Sequence, residues 1–304
     1  MIIRFLKHSV LYAIVVSLLY VLFIMLWGSF LSIDLNTNMV FKQRGGHLHT
    51  RISEIPNYRN IDILFVGSSH AYRGFDPRIF DKAGLSSFNL GSSSQAPVQS
   101  LVLLKKYLNH IQPKCVVFEI CPQVFSSDGV ESSLDIISND TIDWHSTKMV
   151  FEINNFKTYN TFIYSAVRQY FKLDKNFIEE KIIGKDTYIS GGYVQRKEQA
   201  FDGSHDTIKY EIKEEQWYAF VEVIELLKNE GIDVVLVQAP VSSFEYSKFD
   251  NHSLFDSTMS SYTRYYNFNT ILNLDDSLHF YDSHHLNQNG VEIFNNTLIE
   301  LLVH

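Results

Sequence analysis

The chain has 304 residues, of which 45% are hydrophobic and 20% charged, so it can bury a sizeable core in one large domain or two small ones. Its 34 acidic residues outnumber its 26 basic residues and give a net charge of −8, which argues against nucleic acid as a partner.

The N-terminal segment has the composition of a membrane anchor. Between His8 and Ile33 there is no Asp, Glu, Lys or Arg, and the run Val10–Trp27 is almost continuously apolar. At about 1.5 Å per helical residue, this run is long enough to cross the hydrocarbon core of a bilayer. We therefore predict an N-terminal membrane anchor over residues 1–33.

Two other interpretations of this segment stay open. A cleaved signal peptide would have a shorter apolar region followed by a small-x-small pair, and none is evident between Trp27 and Asp34. A buried helix of a soluble protein would seldom have so long an apolar run. Basic residues flank the apolar run on both sides, with Arg4 and Lys7 before it and further basic residues between 42 and 51 after it. Because the N-terminal flank is short and basic, we favour an orientation with the N-terminus inside the cell. We expect a single-pass protein of the cell membrane whose domain lies on the extracytoplasmic side.

Residues 34–60 are predicted to form a stalk or linker. The segment is polar, contains Gly46 and Pro56, and has no sustained apolar period. It would join the anchor to the folded domain.

Short apolar runs after residue 60 predict the strands of a mainly parallel sheet. Runs of this kind are typical of strands that are covered on both faces. The predicted strands are Ile61–Val66, Ser86–Leu90, Cys115–Ile120, Ile232–Gln238 and, more weakly, Leu278–Tyr281.

Amphipathic segments lie between these runs. They predict helices at Val98–His110 and Glu214–Glu230 and a last helix after Asn287. Because strands and helices alternate, we predict a three-layer α/β domain over residues 61–304.

The two cysteines, Cys115 and Cys121, are predicted to be free structural thiols. They stand six residues apart in one extended segment and its exit, which puts their Cα atoms beyond disulfide reach. Their scarcity fits either side of a bacterial membrane.

A long mixed segment at about 125–208, rich in Tyr and Phe, is predicted to be an insertion between the third and fourth strands. Leaving from the carboxyl end of a strand, it would overhang the edge where open α/β sheets bind ligands, and it could shape a substrate groove. Its aromatic residues could equally pack the core of a subdomain.

A candidate nucleophile follows the first predicted strand. In Gly67-Ser68-Ser69-His70, the glycine allows a tight turn that would lift Ser69 to the edge of the sheet. A serine hydroxyl needs a base to become a useful nucleophile, and without one this motif is more often an ordinary loop.

A candidate base and its orienting acid stand near the other end of the chain. The spacing in Asp282-Ser283-His284-His285 lets Asp282 reach one ring nitrogen of His285 and leaves the other for a hydroxyl. By itself this segment could also be a solvated loop with an Asp helix cap. If the fold joins both segments, Ser69, His285 and Asp282 form a hydrolytic triad.

Together these motifs resemble the SGNH (GDSL-like) hydrolase superfamily. The resemblance rests on Gly67–His70, Asn89-Leu90-Gly91 and Asp282–Gly290, and it covers the chain from about Asp62 onward, with the insertion poorly matched. The chain is most similar to the membrane-anchored bacterial branch that includes the D-alanyl transfer protein of teichoic acids and the alginate O-acetylation proteins. The resemblance implies a flavodoxin-like three-layer domain.

It also implies residue roles. Ser69 takes the place of the nucleophile, Gly91 that of the oxyanion-hole glycine, and Asp282 with His285 that of the final Asp-x-x-His. Two positions depart from the superfamily pattern: Ser68 stands where many members have Asp, and no Asn follows the third strand at Cys121-Pro122.

The missing Asn leaves the oxyanion hole incomplete in sequence. Losing one such donor can cost about 10²- to 10³-fold in rate. We predict that the backbone N–H groups of Ser69 and Gly91 supply two donors and that Asn89 is a candidate third, although an Asn at a strand end more often caps a turn.

Other polar residues near the motifs have weaker assignments. His70 and Arg73 are candidate substrate contacts, whereas loop support and a local bond to Asp76 are the simpler interpretations. Glu119 could be a buried carboxylate near the site, but the simpler interpretation is a polar residue paired locally with Arg73 or Arg78, and no role is assigned to it.

No metal or cofactor is predicted. Adjacent residues such as His284 and His285 seldom point the same way, and no further Cys or His completes a zinc set.

Three functions follow, in decreasing order. The first is an anchored O-acyl esterase or acyltransferase that acts on a cell-surface polysaccharide or similar glycan. Its partners would be the glycan or an acylated carrier and, as the resemblance implies, a membrane-bound O-acyltransferase. The second is a non-catalytic anchored module that binds glycan or serves in assembly, and the third is a metal-dependent phosphodiesterase that uses Asp282 and His284.

Overall fold

A computed structural model of the chain describes residues 1–31, 38–42, 46–196 and 210–303. The chain divides into two compact units, Met1–Gln43 with Ser133–Phe177 and Arg44–Ser132 with Ile178–His304. Predictions that concern residues 32–33 of the anchor, 34–37 and 43–45 of the linker, and 197–208 of the insertion lie outside the described residues.

Strands and helices alternate through most of the described residues. The strands are β1 Ile63–Val66, β2 Ser87–Asn89, β3 Cys115–Glu119, β4 Ile182–Ile183, β5 Asp186–Ile189, β6 Tyr193–Gln195, β7 Asp233–Gln238 and β8 Arg264–Asn267. The helices of the first half are α1 Ile2–Phe30, α2 Leu48–Glu54, α3 Ser69–Gly74, α4 Pro77–Lys82, α5 Pro97–Ile111, α6 Pro122–Ser126, α7 Val130–Asn139, α8 Trp144–Ile153 and α9 Phe156–Tyr170. Those of the second half are α10 Glu214–Asn229, α11 Ser243–Tyr246, α12 His252–Ser260, α13 Phe268–Ile271, α14 Asp276–His279 and α15 Gln288–Val303.

The first unit consists of helices. Helix α1 has 29 residues and is long and apolar enough to cross a membrane; a signal sequence would pass the same test. Within this unit, Ile24 of α1 packs with Met39 and with Tyr164 of α9. Tyr20 also donates a hydrogen bond to the Asn160 side chain.

The second unit contains a five-stranded parallel sheet in the order β2-β1-β3-β7-β8. Side chains alternate between its two faces, as expected for strands. On one face Phe65 and Val117 share a cluster with Phe75 after α3 and Phe294 of α15. On the other face Phe118 contacts the ring of Phe220 in α10, which packs beside α5. The three-layer α/β prediction is therefore confirmed.

Four of the predicted strands and all the predicted helices are present, with ends shifted by one or two residues. The fifth predicted strand, Leu278–Tyr281, is wrong. Leu278 lies in α14, because the Asp275 side chain accepts hydrogen bonds from the backbone N–H groups of Ser277 and Leu278 and so begins a helix. The fifth strand is instead β8, a half-exposed edge strand whose Arg-Tyr-Tyr-Asn sequence has no apolar run.

The described part of the predicted linker is folded. Helix α2 buries Leu48 and Arg51, and the guanidinium of Arg51 donates to the backbone carbonyls of Gly46, Gly91 and Gly192. Because these carbonyls belong to separate loops of the second unit, this unit begins before Ile61. The prediction missed α2 because its apolar face is less than two turns long.

The predicted insertion is divided between the two units. Residues Ser133–Phe177 belong to the first unit, and the residues from Ile178 onward belong to the second. In the second unit, β4, β5 and β6 form a small antiparallel sheet, from which Tyr188 and Val194 pack against Tyr72 of α3.

Candidate active site

Ser69 begins helix α3 directly after strand β1, so its side chain lies at the carboxyl edge of the parallel sheet. Ser68 is the helix cap, and its hydroxyl accepts from the backbone N–H of His70. Gly67 has φ +148°, and a Cβ built there would lie 2.7 Å from Cβ of Glu119 on the neighbouring strand. Only glycine fits this turn without moving the β3 backbone.

The structure brings Ser69, His285 and Asp282 into one hydrogen-bonded line. Ser69 Oγ lies 2.8 Å from His285 Nε2, while His285 Nδ1 lies 2.9 and 3.0 Å from the two carboxylate oxygens of Asp282. Since Nδ1 donates to the carboxylate, Nε2 is left as the acceptor for the serine hydroxyl. This is the arrangement in which a histidine can take a proton from a serine.

The segment that carries His285 is held by its own backbone and by an aromatic neighbour. Asp282 Oδ1 also accepts from the backbone N–H groups of His284 and His285, at 2.9 and 2.8 Å. The ring of Tyr281 stacks on His285 with the ring planes 8° apart. The imidazole is thus held in one orientation before any substrate binds.

The charges of this line follow from burial and from hydrogen bonds. Burial lowers the pKa of His285 to about 4 against the opposing effect of Asp282, and the nearby His70 and Arg73 lower it further. For Asp282, burial alone would raise the pKa, but the hydrogen bond from His285 and its charge dominate and lower it to about 2. At neutral pH the line therefore contains a carboxylate and a neutral imidazole.

Two predicted oxyanion donors are used elsewhere, and these assignments are corrected. The Asn89 side chain donates to the carbonyls of Ala71 and Phe75, and its oxygen accepts from the N–H of Gly91 at 3.0 Å. Asn89 therefore ties the loop after β2 to helix α3, and the Gly91 N–H is already bonded. The alternative interpretation, a strand-end Asn that fixes a turn, is the one the structure shows.

The backbone N–H of Ser69 stands in the first turn of α3, where a helix leaves its N–H groups without intrahelical partners. Within the described part of the chain it makes no hydrogen bond. It is the one predicted oxyanion donor that stays available.

Glu119 is buried, and neither of the arginines considered as local partners pairs with it. One carboxylate oxygen accepts from the backbone N–H and the hydroxyl of Ser68, at 2.9 and 2.8 Å. The other oxygen lies 3.3 Å from His70 Nδ1. Glu119 thus holds the turn that presents Ser69.

His70 lies in the wall of the site and is 7% exposed. Burial alone would lower its pKa, but hydrogen bonds to Cys121 and Glu119 outweigh this and raise the pKa well above the ordinary value. Its ring lies 5.5 Å from that of His285. His70 therefore has protein partners, which agrees with the interpretation as loop support, and its role toward substrate stays a prediction.

Arg73 is not a free cation at the site, and its predicted local partner is wrong. Its guanidinium forms a bidentate pair with Asp186 of strand β5, at 3.0 and 2.7 Å, and both side chains are nearly buried. Asp76 instead begins helix α4 and pairs with Arg78. No sequence signal pointed to Asp186, because it lies in a segment with no predicted structure.

A cavity of about 340 Å³ opens beside the serine. Its lining comes from four segments of the chain and consists of Ser68, Ser69, His70, Ser94, Cys121, Gln123, Val124, Ser127, His284 and His285. Sequence reasoning singled out neither Ser94 nor Gln123. The amide of Gln123 donates to Glu245 and Tyr210. Gln123 therefore does not replace the Asn that is absent after the third strand.

Among the described residues, one group combines metal-binding side chains at close range. A ring nitrogen of His70, a carboxylate oxygen of Glu119 and the sulfur of Cys121 all lie within 4.8 Å of one another. His284, the candidate metal ligand of the phosphodiesterase hypothesis, lies 3.7 Å from the carboxylate of Glu245.

Comparisons with known proteins find only distant similarity. No family model matches the chain, and no curated protein matches it. Among solved structures, a protein of Bacteroides fragilis provisionally described as an acylhydrolase is 12% identical, with a TM-score of 0.42, over 86% of this chain and 97% of its own. A GDSL-like lipase of Bacteroides thetaiotaomicron is also 12% identical, with a TM-score of 0.41, over 85% of this chain and 100% of its own.

Proposed function

We propose that the protein is a serine-dependent O-acyl esterase or O-acyltransferase. One observation carries the proposal: the hydrogen-bonded line from Ser69 Oγ through His285 to Asp282, beside an open cavity. A neutral imidazole within 2.8 Å of a serine hydroxyl is what nucleophilic acyl transfer requires.

In the first half-reaction Ser69 Oγ attacks the carbonyl carbon of an acyl ester while its proton passes to His285 Nε2. Asp282 holds the imidazolium that forms, and the N–H of Ser69 faces the developing oxyanion. His285 then gives the proton to the leaving alcohol. In the second half-reaction water or a sugar hydroxyl attacks the acyl-enzyme, loses its proton to His285, and restores Ser69.

The cellular setting of the proposal is the outer face of the cell membrane. Helix α1 would be the uncleaved anchor, and the acceptor would be a cell-surface polysaccharide or similar glycan. The sequence resemblance suggests an acylated carrier or a membrane-bound O-acyltransferase as partner. The cavity supports a short acyl group, since its volume of about 340 Å³ is near the lower end of small-molecule sites.

The test is covalent labelling with a fluorophosphonate together with hydrolysis of p-nitrophenyl acetate. Ser69→Ala should abolish both, because no hydroxyl then faces His285. Ser257→Ala is the matched control, since Ser257 is exposed and its hydroxyl bonds only the local Leu254 carbonyl. Full labelling and activity in Ser69→Ala would disprove the proposed mechanism.

A second candidate function is a non-catalytic anchored module that binds glycan or assists assembly. It is favoured by one observation, the commitment of Asn89 and of the Gly91 N–H to each other, which leaves the oxyanion hole with fewer donors than predicted. This candidate predicts glycan binding that survives Ser69→Ala and no labelling of the wild-type protein. Rapid, stoichiometric labelling of Ser69 would exclude it.

A further inference from the structure

A second hydrogen-bonded set of side chains lies next to the first. His70 follows Ser69 directly, and its Nδ1 lies 3.3 Å from Glu119 Oε1. The sulfur of Cys121, two residues after Glu119, lies within 4.8 Å of a ring nitrogen of His70 and of a carboxylate oxygen of Glu119. A nucleophile, an imidazole and a carboxylate are also the three groups of Ser69, His285 and Asp282.

Cys121 lines the same cavity as the serine. Cys121 is 6% exposed and belongs to the cavity lining, together with His70 and Ser69. Glu119 is 1% exposed, so the carboxylate at the far end of the set is shielded from water and supports a positive charge on His70. A buried structural thiol would need neither a histidine nor an opening to the cavity.

A metal ion is a weaker explanation for these three residues. Glu119 Oε2 already accepts two hydrogen bonds from Ser68, and Oε1 has His70 as partner. The potential ligands therefore satisfy one another, and a cation would have to displace these contacts.

We propose that Cys121 is a second nucleophile of this cavity, activated by His70 and Glu119, and that it accepts acyl groups from thioester donors. The cysteine would be the point at which an acyl group enters. The proposal concerns a residue other than Ser69 and stands whether or not Ser69 is acylated.

The chemistry is thioester exchange, which needs no oxidant or reductant. Cys121 Sγ attacks the thioester carbonyl, the new Sγ–C bond forms and the C–S bond of the donor breaks. The step starts from a pair in which the thiol proton lies on His70, and this proton then passes to the departing thiolate, so the products are acyl-Cys121 and the free donor thiol. Glu119 is a positioning residue, because it holds the tautomer and the charge of His70 without touching the substrate.

The experiment uses the full-length Ser69→Ala protein and acetyl-N-acetylcysteamine as the thioester probe. Intact-mass and peptide analysis should show one acetyl group on Cys121 that is released by neutral hydroxylamine, as thioesters are. Cys115 is the internal control, since burial raises its pKa to about 12 and it lies at the opposite end of strand β3. Cys121 should react at least about tenfold faster than Cys115.

Two variants separate activation from packing. Glu119→Gln keeps an acceptor for Ser68 but removes the charge, so it should slow acetylation of Cys121 and its alkylation by iodoacetamide by about tenfold. Cys115→Ser should change neither rate. If Glu119→Gln fails to fold, the pH profile of alkylation in Cys115→Ser and in Cys121→Ser gives the same comparison between the two thiols.

The outcomes are distinct. No acetyl group on Cys121, equal acetylation of both cysteines, or Glu119→Gln rates identical to wild type would overturn the proposal. Tight zinc binding that is lost in Cys121→Ser would overturn it in favour of a metal site. Fluorophosphonate labelling of wild-type Ser69 reports separately on the proposed esterase, so failure of one proposal is not failure of the other.

Discussion

Lowering the pH tests whether burial sets the charge of the histidine base. Burial lowers the pKa of His285 to about 4, from an ordinary value of 6.5. At pH 5.5 a histidine of ordinary pKa would be only about 10% neutral, whereas His285 would be about 97% neutral. We therefore expect kcat/KM for p-nitrophenyl acetate to change by less than twofold between pH 7.5 and pH 5.5 and to fall only as the pH approaches 4.

The neighbouring histidines should keep their charge between pH 7.5 and pH 5.5. The pKa of His70 is raised well above its ordinary value, and that of His284 is lowered, chiefly by burial and then by the charge of His70. Near-ultraviolet circular dichroism at each pH checks that the protein stays folded. A tenfold loss of kcat/KM at pH 5.5, with an unchanged spectrum, would refute the reasoning, because it would mean that His285 titrates like a histidine in water.

Three further predictions concern the residues around the site. Gly67→Ala places a methyl group 2.7 Å from the Glu119 Cβ, so it should cost about 1–3 kcal/mol in urea unfolding and slow fluorophosphonate labelling; an unchanged midpoint and rate would contradict the strained turn. Asn89→Ala should also lower the free energy of urea unfolding by about 1–3 kcal/mol, but at temperatures well below its melting temperature the variant should still be labelled by the fluorophosphonate. Loss of labelling without loss of stability would instead indicate that Asn89 is an oxyanion donor. Arg73→Met leaves the nearly buried carboxylate of Asp186 short of a partner and should cost about 3–5 kcal/mol, whereas a raised KM with unchanged stability would indicate substrate binding.

The sheet and its covering helices could be predicted because each element has its own local signal. The buried strands are continuous apolar runs, and helices such as α10 repeat an apolar face every three or four residues. Edge strand β8 could not be predicted, since Arg264–Asn267 is polar and half-exposed. Helix α2 could not be predicted either, because Arg51 is buried through three backbone carbonyls that only the folded chain brings together.

The candidate site likewise has a part that could be predicted from the sequence and a part that could not. Ser69, Asp282 and His285 could be named because their spacing and their places beside predicted elements are visible in the sequence. The partners of Asn89, Arg73 and Glu119 could not be named from spacing. Each of these three makes a contact with another loop, helix or strand, and a polar side chain near a sheet edge has several such contacts within reach.

The absence of an Asn after the third strand is better understood as a change in what that strand supplies. Strand β3 ends in Glu119, whose carboxylate supports the Ser68 cap on one side and His70 on the other, and Cys121 then lines the cavity. An oxyanion donor at this position would stabilise a transition state formed at Ser69. A thiol paired with an imidazole does something different, because it can itself carry an acyl group. If Cys121 forms the thioester and Ser69 the ester, the acyl group moves from the more reactive to the less reactive bond within one cavity. The order can be measured directly, since a donor thioester should acylate Cys121 in Ser69→Ala but should reach Ser69 more slowly in Cys121→Ser than in the wild-type protein.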